Sequence, residues 1–162
     1  AELMDTQAAV QDILAFMAEA GALAVANQKR AKVSYKDGNQ ALTETDLAIS
    51  KLAQQRLKAW FDQPQHMLID EESIKLSPSE VFAASEYQWV LDPIDGTAGY
   101  ALGRQLYGIS LGVCHRGKPI LGAIYLPAQR LLVVADEVKA WRVDDPFTPQ
   151  AQQEDLQCRV LD

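Results

Sequence analysis

Six consecutive residues, Asp92-Pro93-Ile94-Asp95-Gly96-Thr97, carry the densest chemistry in this chain. Pro93 fixes its own φ and keeps Asp92 out of the helical region, so the local backbone is stiff. Two carboxylates three positions apart across a stiff turn can converge on one point, and the Ile94 carbonyl adds an oxygen that suits a hard cation. Gly96 allows close approach to the backbone, and a short helix opening at Gly96-Thr97 would aim free N–H groups at an anion. Oxygen ligands beside an anion cradle are what Mg²⁺ with a phosphate substrate requires. The same Asp-Pro and Asp-Gly dipeptides are also common in turns, where either aspartate can form an Asx turn. Their acidic company favours the cation. Glu71 and Glu72 follow the apolar run Met67-Leu68-Ile69, and Asp92 follows Trp89-Val90-Leu91. If these runs are neighbouring strands, their terminal carboxylates gather, and like charges repel unless a cation or protons compensate.

Other candidates have plainer readings. In Thr43-Glu44-Thr45-Asp46, Thr43 and Asp46 look like a capping pair that opens a helix, the reading that chemistry alone favours. Lys36 is by default a solvated loop lysine. His66 and His115 have no second histidine at ligand spacing, and Cys114, next to His115, points to the opposite face if the segment is a strand. Cys114 reads as a small core residue and Cys158 as an incidental thiol near the tail.

The elements that must position these residues follow from periodicity. Val10, Ile13, Leu14, Met17 and Gly21 recur at helical spacing, predicting a first helix that runs to about Asn27. Lys29 to Asn39 reads as a polar connector with a turn at Asp37-Gly38-Asn39. A second helix is predicted from about Thr45-Asp46, with Ile49, Ala53, Leu57 and Trp60 on one face, ending before Pro64. Ser77 and Pro78 are suited to open a short helix reaching about Glu86. Strands are predicted at Leu106–Cys114, Ile120–Leu126, Leu131–Ala135 and Ala140–Val143, and their short connections favour antiparallel neighbours. The fold class is therefore α+β, two long helices packed on a mainly antiparallel sheet. Residues 1–145 read as one domain and residues 146–162 as a linker, given Pro146, Pro149 and the glutamines between them and Glu154.

Composition bounds the function. The 162 residues carry 15 Lys and Arg against 22 Asp and Glu, a net charge of −7, which disfavours binding to a nucleic-acid polymer. A 48% hydrophobic and 23% charged composition is globular and excludes a disordered chain. No apolar run reaches the ~18–20 residues of a membrane span, so no membrane partner is expected. The opening Ala1-Glu2-Leu3-Met4-Asp5 lacks the basic start of a signal peptide. Two cysteines build no disulfide framework, and a cytoplasmic location is expected.

Taken together, three segments resemble the inositol monophosphatase superfamily of Mg²⁺-dependent, lithium-sensitive phosphatases. Asp92-Pro93-Ile94-Asp95-Gly96-Thr97 matches the family signature. Leu68-Ile69-Asp70-Glu71-Glu72-Ser73 resembles its Gly-Glu-Glu-Ser/Thr motif, and Leu42-Thr43-Glu44-Thr45-Asp46 its Val-Thr-x-x-Asp motif. The resemblance implies the N-terminal half of the layered sugar-phosphatase fold. It implies that Glu71, Asp92 and the Ile94 carbonyl hold a first Mg²⁺, and that Asp92 and Asp95 hold a second, in a complete site of two or three ions. It also implies that Asp46 and Thr97 activate the attacking water beside Glu71, and that Asp95, Gly96 and Thr97 receive the substrate phosphate. Lys36 falls where some members carry a lysine near the site.

Three departures stand out. Asp70 replaces the usual glycine, Gly99-Tyr100 replaces the Asn-Phe of many inositol phosphatases, and none of Trp60, Trp89 and Trp141 begins the family's Trp-Asp-x-Ala motif. The implied activity is hydrolysis of a small phosphorylated alcohol such as inositol monophosphate, impaired in a half-length chain. A 3′(2′),5′-bisphosphate nucleotidase is the alternative within that chemistry, since Lys36-Asp37-Gly38-Asn39 resembles the nucleotidase loop. A non-catalytic metal-binding or dimerisation module is the alternative outside it. The expected partners are the small substrate and, in a homodimer, a second copy.

Overall fold

The computed structural model describes residues 3–31, 35–70 and 77–157. Helix α1 (Thr6–Arg30) starts at Asp5, whose carboxylate accepts the Ala8 N–H at 3.1 Å, and ends with Lys29 and Arg30 in its last turn. Both features match the helix dipole. Ala9, Ile13, Phe16, Met17, Ala20, Gly21 and Ala24 form its buried stripe. By length and composition this helix is apolar enough to cross a membrane, which corrects the expectation that no run qualifies. Gln11, Asp12 and Glu19 break its sequence into shorter apolar stretches, and its apolar stripe is spent on the core.

Helix α2 (Tyr35–Arg56) begins about ten residues earlier than its predicted start at Thr45-Asp46, and short α3 (Lys58–Phe61) follows it after Leu57. The turn reading of Asp37-Gly38-Asn39 fails because Gly38 has a different task. A Cβ there would stand 1.7 Å from the Ala101 carbonyl oxygen, so glycine is what lets α2 lie against the segment carrying Ala101. The capping reading of Thr43 fails with it: Thr43 lies inside α2, and its hydroxyl donates to the Asn39 carbonyl at 3.0 Å. Ile49, Ala53 and Leu57 are fully buried, as the periodicity requires.

The sheet has seven strands in sequence order: β1 (His66–Asp70), β2 (Tyr87–Asp95), β3 (Gly108–His115), β4 (Lys118–Leu126), β5 (Leu131–Ala135), β6 (Ala140–Asp144) and β7 (Gln152–Leu156). β1 and β2 are parallel and every other pairing is antiparallel. The β1–β2 crossover carries α4 (Pro78–Ala84), which opens on a capping box: the Glu80 N–H points to the Ser77 hydroxyl and the Glu80 carboxylate accepts the Ser77 N–H. α5 (Thr97–Ala101) follows β2 directly. β7 falls in the stretch read as a linker. All five of its residues are exposed and it is bound through β6, so it carries none of the alternation that reveals a half-buried strand.

Trp89, Leu91, Ile109, Leu111, Val113 and Ala123 face the helices and are buried with the α1 and α2 stripes. Val90 and Ile124 lie on the other face, 43% and 50% exposed. At the end where β1 and β2 begin, the rings of His66, Tyr87 and His115 stack across three adjacent strands, with centroids 4.6 and 4.5 Å apart. The opposite end of those strands carries the acidic motifs.

Candidate active site

β1 and β2 pair in register from His66↔Tyr87 to Asp70↔Leu91, so β1 ends at Asp70 beside Leu91 while β2 runs on to Asp95. Such strand ends, with loops above them, are where parallel sheets place ligands. Asp70 is buried at the last position of β1. Glu71 and Glu72, which follow it, lie outside the described residues.

On β2 the pairing with β3 is regular up to Asp92↔Ser110, resumes at Asp95↔Gly108 and shifts between them. Three steps along β2 thus match two along β3, the signature of a bulge. Pro93 occupies the bulge, where a missing N–H costs no ladder bond. The sequence reading of this segment as a turn is corrected to a bulged strand end, with the same stiffness. Face alternation breaks here: Pro93 and Ile94 are both buried, between half-buried Asp92 and exposed Asp95. In a regular strand, positions three apart face opposite sides, and one extra residue cancels that opposition. The strand then turns through Gly96, whose φ of 85° is open to glycine and strained for other residues, into α5. The short helix predicted at Gly96-Thr97 is therefore present, with Gly96 and Thr97 exposed at its start.

Asp46 sits half-buried on α2, next to fully buried Thr45. The Thr45 hydroxyl lies 2.9 Å from the Tyr100 hydroxyl on α5 and accepts the Asn27 side-chain amide at 3.0 Å, while Tyr100 donates to the Ala24 carbonyl at 2.8 Å. Burial pushes the Tyr100 hydroxyl above the ordinary phenol pKa; the bond from Thr45 opposes this, the charge of Asp46 adds to it and Arg30 opposes it. Asp46 therefore lies within electrostatic reach of α5, the helix that also carries Thr97. Lys36 belongs to the first turn of α2 rather than to a loop.

Sequence reasoning missed Thr45, Tyr100 and Asn27. The only local signal was Tyr100 standing where the resemblance leads one to expect phenylalanine, and it pointed to substrate choice, not to a buried bond. Among the described residues no three His, Cys, Asp or Glu side chains form a metal site. The donors in place there, the Asp92 and Asp95 carboxylates and the Ile94 carbonyl, are all oxygens, so they fit a hard cation in kind. The further carboxylate that the resemblance implies, Glu71, follows directly from the end of β1.

A sequence model of the inositol monophosphatase family matches residues 4–160. The chain is 33% identical over 121 residues to the probable inositol 1-monophosphatase ImpA of Mycobacterium tuberculosis, a match covering 73% of this chain and 41% of that protein. It is 31% identical over 100 residues to the 3′(2′),5′-bisphosphate nucleotidase CysQ of Haemophilus influenzae, covering 62% of this chain and 36% of that one. The solved structure of an inositol monophosphatase from Anabaena superposes with a TM-score of 0.67 at 26% identity, over 86% of this chain and 48% of that chain. Against these relatives the chain spans half their length or less. With the signature at the β2–α5 junction and a match running almost end to end, this chain belongs to the inositol monophosphatase family.

Proposed function

We propose that this chain is the metal- and phosphate-binding half of a Mg²⁺-dependent phosphomonoesterase acting on a small phosphorylated alcohol, with inositol monophosphate as the leading substrate class. The observation that carries the reading is the β2–α5 junction. A bulged strand end presents Asp92, Ile94 and Asp95, and the chain then turns through a left-handed Gly96 into the helix that begins at Thr97. In this reading Glu71, Asp92, the Ile94 carbonyl and Asp95 hold the ions. When bound, Mg²⁺ supplies Lewis-acid activation of water and offsets charge at the leaving oxygen. The chain's own residues do the rest. The backbone N–H groups of Gly96 and Thr97, with the end of β2 at Asp95, receive the phosphate. Thr97 and Asp46 orient the attacking water, and Asp46 takes its proton. A cytoplasmic site of action fits the acidic composition and cysteine content.

The similarity to a bisphosphate nucleotidase, close in degree to that with the inositol monophosphatase, sustains a second reading in which the same machinery takes adenosine 3′,5′-bisphosphate. The test is Mg²⁺-dependent phosphate release from inositol 1-phosphate and from adenosine 3′,5′-bisphosphate. It compares the purified chain with the same chain joined to the second half of a family member. The joined protein should turn over one of the two substrates. The chain alone should be poor or inactive, because orientation of a substrate contributes up to ~7–11 kcal/mol of barrier reduction in favourable cases. Release from neither substrate in the joined protein, with Mg²⁺ binding retained, would instead mark a non-catalytic metal-binding module.

A further inference from the structure

Gly99-Tyr100, where many family members carry Asn-Phe, has no role in the scheme above, yet Tyr100 is 1% exposed and its hydroxyl has two partners. A phenol has one proton to give. Because that proton goes to the Ala24 carbonyl, the Thr45 hydroxyl must donate to Tyr100, and Thr45 in turn accepts from the Asn27 amide. The bonds form one directional chain, Asn27 to Thr45 to Tyr100 to Ala24, in which each hydroxyl proton is used once. It ties α1, α2 and α5 together inside the core.

α5 needs such a tie. It has five residues, and its N-cap, Gly96, has no side chain to cap it. A helix of that length has little stability of its own. α1 grips its far end as well, through the Gln28 side-chain amide, which donates to the carbonyls of Tyr100 at 3.0 Å and Arg104 at 2.9 Å. Thr45 immediately precedes Asp46 on α2, and Tyr100 lies about one helical turn beyond Thr97 on α5.

We propose that the Tyr100 hydroxyl is a positioning group of the candidate site: through Thr45 and Ala24 it clamps α5 against α2 and α1 and holds Thr97 in register with Asp46. The inference rests on the roles assigned to Asp46, Thr97 and Asp95 above. The clamp itself needs no ion, whereas its value to the site does. Asp95 joins α5 through Gly96, so a loosened α5 makes Asp95 a worse ligand.

The experiment uses the chain as it stands, with Tyr100→Phe, Thr45→Val, the double variant and Thr45→Ser. Phenylalanine keeps the ring, which meets Tyr107 edge-on at 4.8 Å, and removes only the hydroxyl. The first readout is native-state amide exchange without metal. In Tyr100→Phe the amides of Tyr100 and Leu102, bonded to the Gly96 and Ala98 carbonyls, should exchange at least about tenfold faster, with those of Phe16 and Ala20 on α1 unchanged. The double variant should be less than additive, and Thr45→Ser should behave as the parent. The second readout is Mg²⁺ titration, in which Tyr100→Phe should bind several-fold more weakly. Exchange that accelerates equally across the molecule, or α5 amides as protected as in the parent, would overturn the clamp. A parent that binds Mg²⁺ and a Tyr100→Phe variant that binds it equally well would overturn its positioning role. A parent that binds no Mg²⁺ would overturn the metal assignment, leaving exchange to decide on the clamp.

Discussion

His66 shows how one side chain can set a pH limit on the fold. It is nearly buried in the ring stack, and its Nδ1 accepts the Trp89 indole N–H at 3.0 Å. An indole nitrogen only donates, so this bond requires an unprotonated Nδ1. Burial pushes the His66 pKa below the ordinary imidazole value, and the charge of Glu86 opposes that only in part. The folded pKa then lies below the unfolded one, so the unfolded chain binds more protons as pH falls through about 6.5. Stability is fully present above that value and declines below it. Urea unfolding at about pH 7.5 and about pH 5.5 should show a loss in the parent that His66→Asn, which offers an acceptor and cannot titrate, reduces. An identical loss in that variant would assign the acid sensitivity to other groups. The sequence shows of His66 only that it lacks a second histidine at ligand spacing, because the stack that buries it is completed by Tyr87 and His115 on other strands.

At the scale of elements, periodicity revealed what packs on one face and failed where contact is made by backbone or over long range. α4 was legible because the Ser77 cap, Pro78 and Glu80 are local signals. The short helix after Gly96 was legible for the same reason. The true start of α2 was not, because the reason for Gly38 is a carbonyl at Ala101, far along the chain. β7 was not legible either, since Gln152–Leu156 is exposed throughout and held by its ladder to β6. The motifs at Asp46 and Asp92–Thr97 gave the residues of the candidate site, whereas the buried bonds joining their elements run between positions that no local pattern links. Gly38 supplies the test at this scale. Gly38→Ala drives a methyl group into the Ala101 backbone and should destabilise the fold by about 1–3 kcal/mol, the usual cost of overpacking. Gly122→Ala, whose new Cβ would meet nothing within 4 Å, should be close to neutral. Thermal unfolding that ranks the two variants the other way would mean that α2 does not lie against α5 as described.

Across the whole molecule the two ends of the sheet divide the work. The end where β1 and β2 begin is closed by stacked rings and by the Met4 N–H, which donates to the Tyr87 hydroxyl at 3.1 Å. The other end carries Asp70 at the end of β1 and Asp92 and Asp95 along the last residues of β2, where the chain passes into α5. The face of the sheet opposite α1 and α2 carries a shallow trough of about 390 Å³, lined by Val90, Gly112, Gly122, Ile124 and Val133. Mg²⁺ is proposed to bind at the acidic end, through the end of β2. Mg²⁺ binds carboxylates while keeping several waters, so an incomplete protein cage still takes it up, weakly. The most direct measurement is a calorimetric Mg²⁺ titration of the chain beside Asp92→Asn, which keeps the shape of the side chain and removes its charge. Weak binding is expected in the parent and a loss of at least tenfold, about 1.4 kcal/mol, in the variant; equal affinity in the two would contradict a metal site at Asp92.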